Sequence, residues 1–181
     1  MTPVEETARV VRSQCGDRDA LERLLRDVQR PLHGYVTRLV GSTDADDVTQ
    51  DVLVTIARKL AWLTEPRVFR PWAFRIASRA AFNHLRRQKR RAEEPLDDER
   101  AAAIEAAPVR PAAQAVSDLL ASDALSPASR AVLALHFEQE MPLAEVAAVL
   151  EIPLGTVKSR LSFGLKALRR QLREPGPARV Q

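Results

Sequence analysis

Apolar residues recur along this chain every three or four positions and hardly ever every second one, the pattern of helices with a single buried face. Between Asp17 and Gly41 they fall at Leu21, Leu24, Leu25, Val28, Leu32, Val36 and Leu39. That spacing predicts one long amphipathic helix, opened by an aspartate cap and ended by glycine. Thr43 followed by Asp46 reads as a capping box for a second helix reaching about Leu63, with Val52, Leu53, Ile56, Leu60 and Leu63 turned inward. Pro71 suits the first turn of a third helix running to about Arg90, its core side made by Phe74, Ala77, Ala81 and Leu85. Further on, Ser126 caps a helix with Pro127 in its first turn. Leu143, Val146, Ala147 and Leu150 then form one stripe, the period breaks at EIPLG, and Val157, Leu161, Leu165 and Leu168 form the next. Two short helices meeting over such a turn make a helix-turn-helix, and Ala147 is small enough for a close crossing.

These elements predict an all-α fold of two small helical domains, 5–91 and 114–170, joined by a flexible acidic linker over 92–113 and followed by a tail over 171–181. The linker, AEEPLDDERAAAIEAAPVRPAA, is rich in alanine and interrupted by Pro95, Pro108 and Pro111. The tail is expected to be disordered beyond its first residues.

Composition narrows the functions open to such a fold. With 181 residues and 45% hydrophobic content the chain can bury a real core. Cys15 is the only cysteine, which excludes a disulfide framework or a cysteine-based metal site within one chain. No apolar run is long enough to span a membrane and the first residues lack the core of a signal peptide, so a cytoplasmic protein without membrane insertion is expected. His33, His84 and His136 stand apart without ligand spacing, and neither a phosphate-binding glycine loop nor a nucleophile motif occurs. The chain is therefore expected not to be an enzyme and to use neither cofactor nor metal.

Charge points elsewhere. From Arg67 to Arg91 there are nine Arg or Lys and no Asp or Glu, and AEEPLDDER then reverses the sign. On the third helix Arg75, Arg79, Asn83 and Arg86, continued by Arg87, oppose the core side, with Trp72 and Phe82 beside them. Arginine supplies phosphate contacts, asparagine reads base edges, and rings stack on bases that have left the duplex. The two rings can equally pack beneath the preceding loop. The last helix shows Thr156, Ser159, Arg160, Phe163, Lys166 and Arg170, flanked by Lys158 and Ser162, a set suited to the major groove. Phe163 can pack on a neighbouring element, touch a thymine methyl or meet a protein. The second helix differs: Asp47, Gln50, Asp51, Val54 and Arg58 form an outward stripe with an apolar residue at its middle, as a protein-docking surface would. The helix dipole alone also explains acidic residues in a first turn.

Three segments, DADDVTQDVLVTIARKL, FRPWAFRIASRAAFNHLRR and LAEVAAVLEIPLGTVKSRL, resemble in that order the core-binding, promoter-melting and −35-reading segments of bacterial extracytoplasmic-function (ECF) sigma factors. The resemblance implies a factor that binds core RNA polymerase, through the β′ clamp coiled coil and β, and directs it to promoter DNA. It implies that Asp47, Gln50, Asp51 and Leu53, with Val54 beside them, grip the polymerase. Trp72, Arg75, Arg79, Asn83 and Arg86 would lie at the −10 element, and the loop TEPRVFR would capture a flipped base. Thr156, Lys158, Ser159 and Arg160 would meet the −35 element. An anti-sigma factor is a further implied partner. The chain departs from the family pattern in Arg79 for asparagine, Asn83 for aspartate, and Phe163 and Leu165 for arginine. Fully extended, the linker reaches roughly 70 Å, more than the roughly 50 Å of duplex between the two elements. A stand-alone helix-turn-helix regulator is the alternative, binding duplex DNA without polymerase.

Overall fold

The computed structural model describes residues 2–93 and 125–173, and all regular structure among them is helical. Helix α1, Pro3–Gln14, opens with a capping box in which the Glu5 amide donates to Thr2 Oγ1 (3.2 Å) and the Thr2 amide to Glu5 Oε2 (2.8 Å). Exposed Cys15 lies just beyond it. Helix α2, Arg18–Val40, begins where Asp17 accepts the Ala20 amide (2.9 Å) and ends at Gly41, whose φ of 85° belongs to glycine. Helix α3, Ser42–Lys59, follows at once. The predicted capping box at Thr43 and Asp46 does not form, because Gly41 is the only residue between α2 and α3 and Thr43 already sits inside the first turn. Past Lys59 the backbone tightens into a 3₁₀ turn, Leu60–Trp62, so the α-helix stops short of Leu63.

A second 3₁₀ turn, Pro66–Val68, leads into α4, Phe69–Glu93. Its last turns take Ala92 and Glu93 from the predicted linker, and 94–113 lies outside the described residues. After Ser126, whose Oγ accepts the Ser129 amide (3.2 Å), come α5, Pro127–Leu133, and a π-helical turn, Ala134–Glu138. Helices α6, Leu143–Leu150, and α7, Leu154–Arg173, complete the helix-turn-helix. Helix α7 carries 171–173 out of the predicted tail.

The predicted stripes are the core. Leu24, Val28, Leu32, Val36 and Leu39 of α2 pack with Val52, Ile56 and Leu60, and with Phe74, Ala77 and Ala81 of α4, while Leu21, Leu25, Leu53 and Leu85 are half-buried. At their centre lies Tyr35, its ring edge-on to Phe74 with centroids 5.4 Å apart. Ser78 Oγ donates to the Phe74 carbonyl (2.8 Å), so the Tyr35 hydroxyl, 2.7 Å away, is the donor to Ser78. Burial pushes the Tyr35 phenol well above its usual value.

Val132, Leu135, Met141, Val146, Val149 and Val157 of the second unit join this cluster, so one apolar interior runs through both units. Helix α6 lies against α4, and α5 against α2. Arg38 donates to Glu138 Oε1 (3.1 Å), and Arg130 to the Arg38 carbonyl (2.9 Å). Within the second unit α7 crosses α5 tightly at Gly164, where a β-carbon would meet Leu133 Cδ1 at 2.7 Å. Ala147 is half-buried.

Candidate nucleic-acid interface

Because α4 buries Phe74, Ala77 and Ala81, helical geometry turns its basic residues outward. Arg79, Asn83, Arg86 and Arg87 are exposed and Arg75 is half-buried. Arg86 donates to Asn83 Oδ1, holding the amide oxygen. Asn83, Arg86, Arg87 and Arg90 line an open groove of about 390 Å³, and among the described residues no acid lies in its wall.

Trp72 and Phe82 are half-buried against the core, and the Trp72 ring lies 6.1 Å from that of Phe69. Packing thus accounts for both rings. The TEPRVFR segment is less free than the sequence implies: Phe69 is fully buried and Arg70 pairs with Glu6 of α1 (3.2 Å). An aromatic residue that periodicity did not single out, Trp62, is 75% exposed in the turn just before it. Its offset from the Leu60 and Leu63 positions was the available signal.

Across a cleft of about 350 Å³, α4 faces the end of α6. Arg79 donates through Nε to Glu151 Oε2 (3.1 Å) and through Nη2 to Oε1. Glu151 sits in the left-handed region, φ 55° and ψ 44°, where it ends α6 while the Ile152 amide donates to the Ala147 carbonyl (3.1 Å). The Arg79 hydrogen bond, helped by the charges of Arg79 and Arg75, holds the Glu151 carboxyl below its ordinary value. Neither Glu151 nor its pairing is legible in the helical periodicity.

On α7, Val157 and Gly164 are buried and Leu161, Leu165 and Leu168 half-buried. Lys158, Ser159, Ser162, Phe163 and Lys166 are exposed, with Thr156 and Arg160 half-exposed beside them. Ser159 Oγ donates to the Thr156 carbonyl (3.0 Å). Phe163 is 68% exposed, so none of the described residues packs over it.

Asp47, Gln50, Asp51 and Val54 of α3 are exposed and Leu53 is half-buried, so the stripe has an apolar shoulder. Asp47 and Asp51 line one groove with Arg87, Gln88 and Arg91, so the acidic stripe borders the basic one. Gln88 donates to Asp44 (2.8 Å), holding α3 and α4 in register there.

Two family profiles match this chain: Sigma-70 region 2 over residues 24–91, which takes in most of α2, all of α3 and nearly all of α4, and Sigma-70 region 4 over residues 123–170. The chain is 32% identical over 159 residues to the ECF RNA polymerase sigma factor SigM of Mycobacterium tuberculosis, covering 87% of this chain and 79% of the relative. The chain belongs to the ECF sigma factors. SigW of Bacillus subtilis, another ECF RNA polymerase sigma factor, is 28% identical over 181 residues, 92% of this chain and 96% of the relative. The fold matches that of the sigma factor RpoE in its complex with the anti-sigma factor NepR from Bartonella quintana, with a TM-score of 0.69 and 22% identity over 85% of this chain and 97% of that one. This sigma factor thus serves RNA polymerase, and the alternative of a stand-alone regulator falls. Among the described residues no helix is long and apolar enough to cross a membrane.

Proposed function

We propose that the two units divide the work of promoter recognition. The first, over 5–91, docks on core polymerase through Asp47, Gln50, Asp51, Leu53 and Val54. It lays Arg75, Arg79, Asn83, Arg86 and Arg87 along the −10 element, with Trp72 supporting that helix, and holds the unpaired strand after melting. The second, over 114–170, sets Thr156, Lys158, Ser159, Arg160, Ser162, Phe163 and Lys166 into the major groove of the −35 element. The chain performs no chemistry, since polymerase makes the RNA, and it works in the cytoplasm.

The observation that carries this is the division of α4: one side is buried and apolar but for Ser78, and the other is an exposed run of Arg79, Asn83, Arg86 and Arg87. An exposed cationic stripe with no acidic residue between Arg67 and Arg91 suits a polyanion, and an acidic stripe next to it suits a different, basic partner. An anti-sigma factor is a further partner, a proposal that rests on family membership and on the complex in which RpoE was solved.

In vitro transcription with core polymerase over a promoter library tests the whole, and the variant Asp51→Lys tests the division. Asp51→Lys is expected to reduce capture of core polymerase in a pull-down while leaving the fold unchanged. Undiminished capture would remove the reason for placing polymerase on α3.

A further inference from the structure

We propose that Phe163 reads one thymine of the −35 element through its 5-methyl group. This rests on the placement of α7 in the major groove given above. Phe163 is 68% exposed on a helix face otherwise made of hydroxyls and cations. It lies four positions after Ser159, three after Arg160 and three before Lys166, the spacings at which helical side chains are neighbours. The ring is thus surrounded by groups that a phosphate backbone and base edges attract, and any contact they make carries it to the groove floor.

Its azimuth is also fixed. The next residue, Gly164, is buried so tightly that even a β-carbon would fall 2.7 Å from Leu133 Cδ1, and Val157 is fully buried on the same side. Helix α7 cannot roll to withdraw the ring without breaking that crossing.

In the major groove the one methyl group on any base pair is the thymine C5-methyl; apart from the small C5–H of cytosine, the groups beside it are hydrogen-bond donors or acceptors. A phenyl ring has no hydrogen bond to offer. Set against guanine, cytosine or adenine edges it desolvates polar groups without compensation. Set against thymine it buries a methyl. The base that suits this position is therefore thymine.

The test uses the full chain with core polymerase to select −35 sequences from randomised duplexes. Each selected thymine is then replaced singly by deoxyuridine, which keeps the hydrogen-bonding edge and lacks only the methyl. One replacement is expected to weaken promoter binding about fourfold, the worth of one buried methyl-sized group. Phe163→Ala is expected to bind thymine and uracil equally at that position, and Phe163→Leu to keep part of the preference. Selection of no thymine, tolerance of uracil everywhere, or an unchanged thymine preference in Phe163→Ala would overturn the proposal. So would a Phe163→Ala protein that loses capture of core polymerase while keeping full base discrimination, because the ring would then serve a protein contact. If no −35 sequence is selected at all, the placement of α7 fails and this proposal with it.

Discussion

Arg79 and Glu151, 72 positions apart in the chain, close the cleft between the two helical units, one guanidinium engaging both oxygens of one carboxylate. Arg79 belongs to the stripe proposed for the −10 element, so a phosphate and Glu151 compete for the same donors. Both side chains are largely exposed, so salt screens the contact.

Glu151→Gln is expected to loosen the cleft, read as a longer distance between fluorophores on α4 and α6. The folded carboxyl titrates below its ordinary value of 4.5, so the pair contributes fully above that value and is lost as pH falls through the lower, folded one. The wild-type distance should therefore lengthen on acidification and at high salt, and that of Glu151→Gln should respond less, with Arg38 and Glu138 still bridging the units. Glu151→Gly should loosen the cleft equally, yet melt at a higher temperature than Glu151→Gln, since glycine accepts the left-handed backbone without strain. Equal melting temperatures would count against that strain.

Arg75→Ala and Arg79→Ala are each expected to reduce open-complex formation roughly tenfold, the worth of one charge-assisted hydrogen bond. Capture of core polymerase should change far less. Equal losses in permanganate footprinting and in pull-down would contradict the assignment of this stripe to DNA.

What the sequence made legible was local. Asp17 and Gly41 bracket α2 because both act on the backbone within a turn of themselves, and the Leu24 to Leu39 stripe follows from 3.6 residues per turn. Thr43 and Asp46 misled because a capping box needs a non-helical residue at its start, and the single-residue junction at Gly41 left no room for one. The outward positions of Asp47, Asp51, Arg79 and Asn83 were likewise readable from period alone. Glu151 was not, since its partner is set by how two units pack. Tyr35 escaped the stripe because its polarity hides a buried role that only the Ser78 hydroxyl explains.

Tyr35→Phe should cost about 1 kcal/mol, because Ser78 Oγ keeps its own donation to Phe74 and loses the proton it accepts. A fall in melting temperature of about 3 °C would show this in a thermal scan. No change would mean that the buried hydroxyl contributes nothing net.

Gly164→Val should destabilise the second unit by about 1–3 kcal/mol through overpacking against Leu133. Because the strain tilts α7, binding to a −35 duplex should fall further than the loss of folded protein accounts for. Comparing titrations normalised for the folded fraction checks this.

The apolar interior shared by Val36, Phe74, Val146 and Val149 has a thermodynamic corollary. Any state that parts the units to span a promoter lays bare oily surface on both, and water alone does not favour it. Under the proposed docking, core enzyme would furnish the replacement lining. Its affinity for this factor would then be the intrinsic one discounted by the share of molecules already parted. A substitution that roughens the seam and spares the docking stripe would make a tighter, less restrained initiator.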